Sequence, residues 1–290
     1  MMFWVRRKAG VNIAGAGIAI ALSALLTICV VGLLALSKIS IPSFWEGPIF
    51  YVSLLIATLL TAKYYDRMPS DWVGLGLHRW VRREIGWGLV IGVGMALIAW
   101  SPSLFVGSVE FRGIERYDRL LYWILFIVVS GIGEELLFRG YLFQRGIELF
   151  GGGVTTFLFS VGFALAHIGN PEITTTGILN IFLGGIFFSA CYLATGGLWL
   201  PIAAHVVWNL TLTLVLGTPA SGWMFDESFF QTTSSNYVLL TGGGFGPEGG
   251  IGATVALLVG GVLLAIIPTI QIAPWNFSRN FWAFYRRQRH

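Results

Sequence analysis

LLYWILFIVVSGIGEELLFRGYLFQ, residues 120–144, is apolar enough to cross a bilayer, yet its second half carries Glu134, Glu135 and Arg139. About 20 apolar residues suffice for a helix to span the hydrocarbon core. Ionisable side chains inside such a helix are costly, so by default they mark function. The reading of this stretch therefore decides two things together: the chain belongs in a membrane, and this span has chemistry to do.

The rest of the chain supports the first conclusion. Of its 290 residues, 56% are hydrophobic and 11% charged, against about 25% charged in a typical soluble domain. The mean hydropathy is +0.76. A water-soluble fold has no means of covering that much apolar surface, so the sequence predicts an all-α polytopic bundle. Eight segments qualify as spans: 13–36, 46–63, 86–106, 120–144, 153–169, 176–196, 198–216 and 251–272. The whole of 1–290 is expected to form one integral membrane domain. Arg6, Arg7 and Lys8 precede the first run, which continues from Ile13 to Leu36 and is too long for the apolar core of a cleavable leader. The stretch from Asp66 to Glu84 is charged and contains tryptophan, as in an interfacial helix. Residues 217–250, rich in Gly, Ser and Thr, read as the longest outside connection.

Charge sets the expected orientation. With the amino terminus in the cytoplasm, fourteen of the 18 basic residues fall inside, including Arg279, Arg286, Arg287 and Arg289. Only Lys38, Arg112, Arg116 and Arg119 fall outside. This bias predicts that both termini are cytoplasmic. The net charge of +4 is accounted for by these loops, and no nucleic-acid partner is expected. Cys29 and Cys191 both lie in apolar runs and read as small hydrophobes.

Polar chemistry recurs at two later places, Phe163-Ala-Leu-Ala-His167 and His205-Val-Val-Trp-Asn209. Residues four apart share a helix face, so Glu135 is placed to pair with Arg139 while Glu134 points elsewhere, free to act as a general base for water. Glu134 lies about seventeen residues before the glycine turn 151–153 and His167 about fourteen after it, so equal rise brings them to similar depth. His205 and Asn209 share a face, and their N–H groups can donate to a developing oxyanion. The bland readings are a structural ion pair for Glu135 and Arg139 and interhelical hydrogen bonding for a lone His or Asn. Two carboxyls, two imidazoles and an amide on three helices make the purely structural reading a poor account of the set. Gly88-Leu-Val-Ile-Gly92 fits close helix packing through small residues.

These three segments resemble the motifs of the CAAX prenyl protease and bacteriocin-processing family of intramembrane proteases. That family carries Glu-Glu-x-x-x-Arg, then Phe-x-x-x-His, then His-x-x-x-Asn. Here they read EELLFR at 134–139, FALAH at 163–167 and HVVWN at 205–209, and the resemblance covers about 120–216. It implies an eight-helix endopeptidase in the cell membrane, with its site toward the cytoplasmic leaflet. Glu134 and His167 would activate water, His205 and Asn209 would stabilise the oxyanion, and Glu135 and Arg139 would hold the site together. The implied partners are membrane lipid and a membrane-associated protein or lipidated peptide. The family's eukaryotic members remove a C-terminal tripeptide from prenylated proteins, a specificity that does not transfer to this chain on motifs alone.

Metal use stays open at this level. Glu134, His167 and His205 form a His₂Glu set that can hold zinc with an open water position, whereas the resemblance implies a metal-independent glutamate mechanism. Two other classes of function compete: a non-catalytic scaffold or bacteriocin-immunity protein that keeps the fold, and a proton relay or transporter. The second expects inverted repeats, and the sequence shows none.

Overall fold

The computed structural model describes residues 2–37, 46–67, 73–233, 236–267 and 270. Lys38, Arg279, Arg286, Arg287 and Arg289, which contribute to the charge bias, lie outside the described residues, as does the end of the eighth predicted span.

Helices dominate. In chain order they are α1 (Met2–Leu36), α2 (Glu46–Leu60), α3 (Val81–Val106), α4 (Tyr117–Arg139), α5 (Tyr141–Phe150), α6 (Gly152–Ala166), α7 (Thr175–Thr195), α8 (Trp199–Leu210), the single turn α9 (Val238–Thr241) and α10 (Ile251–Ile266). Wider π turns extend α2 over Thr61–Tyr65 and α8 over Thr211–Val215. Among the described residues, five runs are long and apolar enough to cross a membrane: Ile13–Leu34, Glu46–Tyr65, Val81–Val106, Tyr117–Phe150 and Thr175–Thr195. The other three predicted spans correspond to shorter apolar helices, Gly152–Ala166, Trp199–Val215 and Ile251–Ile266. At 1.5 Å per residue, α6 is only about 22 Å long, short of the roughly 30 Å hydrocarbon core. Large apolar side chains are exposed along α1, α6 and α10, among them Ile28, Leu33, Phe157, Leu258 and Val262, the surface that lipid would cover.

Small residues set the spacing of the bundle. α3 packs along α8, where a Cβ on Gly88 would stand 2.6 Å from that of Ala203, and one on Gly92 would collide with Val207 and the Ala204 carbonyl. The Gly-x-x-x-Gly reading is therefore correct for this pair of helices. α7 is capped by Thr174, whose Oγ1 accepts the Gly177 N–H at 2.9 Å, and it ends at Gly196 in the left-handed region (φ 75°).

Two expectations need correction, and a third region has more structure than its composition suggested. The predicted span 120–144 breaks at Gly140, where φ −79° and ψ −133° leave the helical region and a side chain would strike the Leu136 carbonyl. Residues 141–150 consequently form a separate helix. In the Asp66–Glu84 stretch, residues 73–80 form turns rather than an interfacial helix, and Arg82, Arg83 and Glu84 already belong to α3; residues 68–72 lie outside the described residues. The 217–250 connection is structured and packs back on the helices. Its first part pairs Phe230–Thr233 (β2) antiparallel with Ser108–Phe111 (β1), with Phe111 opposite Phe230. Its last part, 241–250, is largely buried against the start of α7 and of α10.

Candidate active site

Arg139 is fully buried at the end of α4. Its Nη1 donates to Glu135 Oε1 at 3.0 Å, its Nη2 donates to the Gly185 carbonyl on α7 at 3.0 Å, and its guanidinium lies 4.6 Å from the centre of the Phe163 ring. The i, i+4 pair expected from spacing is formed, and it does more than neutralise charge. Glu135 Oε1 also accepts the Nδ1–H of His205 at 2.8 Å. The buried pair on α4 thus holds α8 through the Glu135 carboxylate and α7 through the Arg139 guanidinium. Phe188 of α7 stacks on His205 with 4.7 Å between ring centres and 21° between planes, which fixes the plane of the imidazole.

His167 sits at the carboxyl-terminal cap of α6 rather than within the helix. Its Nδ1 lies 2.7 Å from the Phe163 carbonyl one turn earlier, so Nδ1 carries the proton and Nε2 is left facing the cavity. The four-residue spacing of the Phe-x-x-x-His motif follows from this bond, and the Phe163 ring packs 4.6 Å from the imidazole.

Both free Nε2 atoms turn to Glu134. Its Oε2 stands 3.9 Å from His167 Nε2 and 3.8 Å from His205 Nε2. These separations exceed a direct hydrogen bond and suit three groups gathered around one small polar molecule. Glu134 is 20% exposed, whereas Glu135 is fully buried. The two adjacent carboxylates differ in kind: one is committed to structure and the other faces a cavity.

That cavity measures about 580 Å³, and its walls include Glu134, His167, His205 and Asn209. This lies within the range of small-molecule and peptide pockets. Asn209 occupies the last full turn of α8, where its carbonyl accepts from Thr213 Oγ1 at 2.7 Å as the helix widens into its π turn. Such widened turns recur at functional sites because they re-aim side chains. Apolar side chains, Phe126, Leu137, Phe163, Ile181 and Leu257 among them, supply most of the remaining wall. Tyr51 of α2 packs against Gly133, next to Glu134, so closely that no side chain fits at that position of α4. From the level of Glu134 the lining runs toward the end of the bundle where α4, α7 and α10 begin, reaching the exposed Trp223 and Met224.

The structure brings all six sequence-predicted residues together. Sequence reasoning missed Tyr51 and Glu248. Glu248, a carboxylate in an otherwise apolar Gly-Pro-Glu-Gly-Gly run just before a span, was a legible signal that the outside-loop reading passed over.

Zinc fits this arrangement poorly. Metal bonds of about 2.1 Å in a tetrahedron place neighbouring donors about 3.4 Å apart, closer than the 3.8 and 3.9 Å found here. Among the described residues no trio of His, Cys, Asp or Glu is spaced to hold a metal ion.

No curated protein and no solved structure matches the chain. Residues 116–211, about a third of its length and the stretch that contains all six candidate residues, match the family model described as type II CAAX prenyl endopeptidase Rce1-like.

Proposed function

We propose that this chain is an intramembrane endopeptidase that hydrolyses a peptide bond in a membrane-associated protein or peptide, using water activated by Glu134. One observation carries the reading: a single carboxylate oxygen of Glu134 faces the Nε2 atoms of both His167 and His205 at under 4 Å, inside a cavity shared with Asn209. A water held there donates one hydrogen to Glu134 and the other to His167 Nε2, leaving an oxygen lone pair for the scissile carbonyl. As the new C–O bond forms, Glu134 takes the proton. The tetrahedral oxyanion is stabilised by the Asn209 side-chain amide and by His205. Because the Nδ1–H of His205 is committed to Glu135, its Nε2 donates only when the ring is an imidazolium, a cation that the Glu135 carboxylate supports. Collapse breaks the C–N bond, and the proton held by Glu134 passes to the departing amine.

The eight apolar helices are read as eight membrane passes with both termini cytoplasmic. On that orientation we read the chemistry as lying toward the cytoplasmic leaflet, because Glu134 is five residues from the end of α4 and His205 six from the start of α8, with His167 meeting them from the far end of the short α6. The cavity then reaches it from the opposite end. The test compares membrane proteomes of cells carrying the wild type and Glu134→Ala. Proteins that stay uncut only in the variant are expected, whereas identical cleavage patterns with both proteins present at equal levels would end the protease reading.

A further inference from the structure

A second carboxylate lines the same cavity, and the mechanism above has no use for it. Glu248, 8% exposed, follows Pro247 in the short turn before α10. Its Oε1 accepts the indole N–H of Trp208 at 2.9 Å, and its Oε2 accepts the backbone N–H of Ser221 and, at 2.9 Å, the Ser221 hydroxyl. All three donors are neutral, and among the described residues no Lys or Arg pairs with it. The backbone beneath is equally fixed: Asn180 of α7 donates to the carbonyls of Glu248 and Gly250 at 2.8 and 2.9 Å, and Thr254 holds the Asn180 oxygen at 2.6 Å. Trp208 is the neighbour of Asn209 and lies one turn beyond His205, so this carboxylate is bonded to the helix that carries both proposed oxyanion donors and lines the cavity they share.

A buried anion with neutral partners is expensive in an apolar wall. A solely structural brace could be built from neutral acceptors. The rest of the lining reinforces the point: among its described residues there is no Lys or Arg, and only the two imidazoles can become positive. Among the lining side chains the permanent charges are the carboxylates of Glu134 and Glu248, which favour a cation over an anion, while an imidazolium at His205 is compensated by Glu135 behind it.

We propose that Glu248 reads positive charge on the substrate. The peptide cut here is apolar across the scissile bond, carries a lysine, arginine or free α-ammonium within a few residues of it, and does not place a terminal carboxylate in the cavity. Cleavage is therefore internal or near an amino terminus, and removal of a short carboxyl-terminal peptide is disfavoured. The inference rests on the endopeptidase reading for its turnover and stands separately for binding.

The experiment uses the purified full chain in nanodiscs and quenched-fluorescent peptides with one apolar core. Lys, Gln or Glu is scanned over four positions on each side, and each core is also made as a C-terminal amide and a C-terminal acid. Turnover is followed on the wild type and binding, by anisotropy, on Glu134→Ala. Lys peptides should exceed Glu peptides by roughly tenfold or more at one flank, as expected for opposite against like charges a few ångströms apart, and amides should exceed acids. Glu248→Gln should flatten the ranking to within about twofold, while Ser221→Ala, which keeps the charge, should retain it. A ranking that survives Glu248→Gln, or a wild-type preference for Glu or for free-acid peptides, overturns the proposal, and the wild-type ranking decides even if Glu248→Gln does not fold. Charge-ranked binding without cleavage removes the endopeptidase reading and leaves this one. Glu134-dependent cleavage with a flat ranking does the reverse, and no binding of any peptide overturns both.

Discussion

Neutralising Glu135 and neutralising Glu134 should have opposite consequences, although the residues are neighbours. Glu135→Gln keeps the shape and leaves an oxygen able to accept from both Arg139 and His205, so it removes charge with little loss of geometry. It strands a fully buried guanidinium, whose other hydrogen bond goes to a neutral carbonyl. Breaking a buried pair from one side costs about 3–5 kcal/mol. At about 2–4 °C per kcal/mol for a domain of this size, the midpoint should fall by roughly 6–20 °C. Glu134 stands 3.9 and 3.8 Å from the His167 and His205 imidazoles, beyond hydrogen-bonding distance, and faces the cavity, so Glu134→Gln should move the midpoint by no more than about 2 °C while abolishing cleavage. The chain carries its own probe: Cys191 is fully buried and Cys29 exposed. In a Cys29→Ala background, a thiol-reactive dye reports only the unfolding that uncovers Cys191. A double variant, Glu135→Gln with Arg139→Met, should recover part of the loss, because no buried cation remains. Equal midpoints for the two single variants, or no recovery in the double, would refute the division of labour between these carboxylates.

Asn209→Ala should lower kcat by about a hundredfold to a thousandfold with little change in KM, because an oxyanion donor acts only on the transition state; steady-state kinetics on any cleaved peptide checks this. Gly92→Ala should destabilise the α3–α8 packing by about 1–3 kcal/mol, the usual cost of overpacking, seen as a lower midpoint in the same dye assay and accompanied by retained cleavage at low temperature. A cysteine replacing the exposed Trp223 in the Cys29→Ala background should react with a membrane-impermeant maleimide from the outside of intact cells and remain protected in inside-out vesicles; the reverse pattern would invert the bundle. Cleavage should survive an excess of zinc chelator, and purified protein should carry zinc well below one equivalent, as measured by elemental analysis.

The helical, membrane-type character of the chain and the meeting of its six candidate residues were legible without coordinates, for a simple physical reason. Hydrocarbon admits so few polar side chains that those present stand out, and helical spacing states which of them share a face. Glu135 with Arg139, and Gly88 with Gly92, are local relations of one helix, and both hold. The Gly140 break was not legible, because a single glycine in an apolar run is compatible with continued helix until neighbours demand a bend. What the linear order could not show is that Glu135 serves His205 seventy residues away, that His167 ends its helix, and that Glu248 returns from a glycine-rich connection into the cavity wall. Those are contacts between segments remote in the chain, and they depend on how helices lean, stop and close over one another. The sequence by itself determined that acid, imidazole and amide lie within apolar helices; only the packing of α4, α6, α7 and α8 decided which carboxylate is braced and which one faces the cavity.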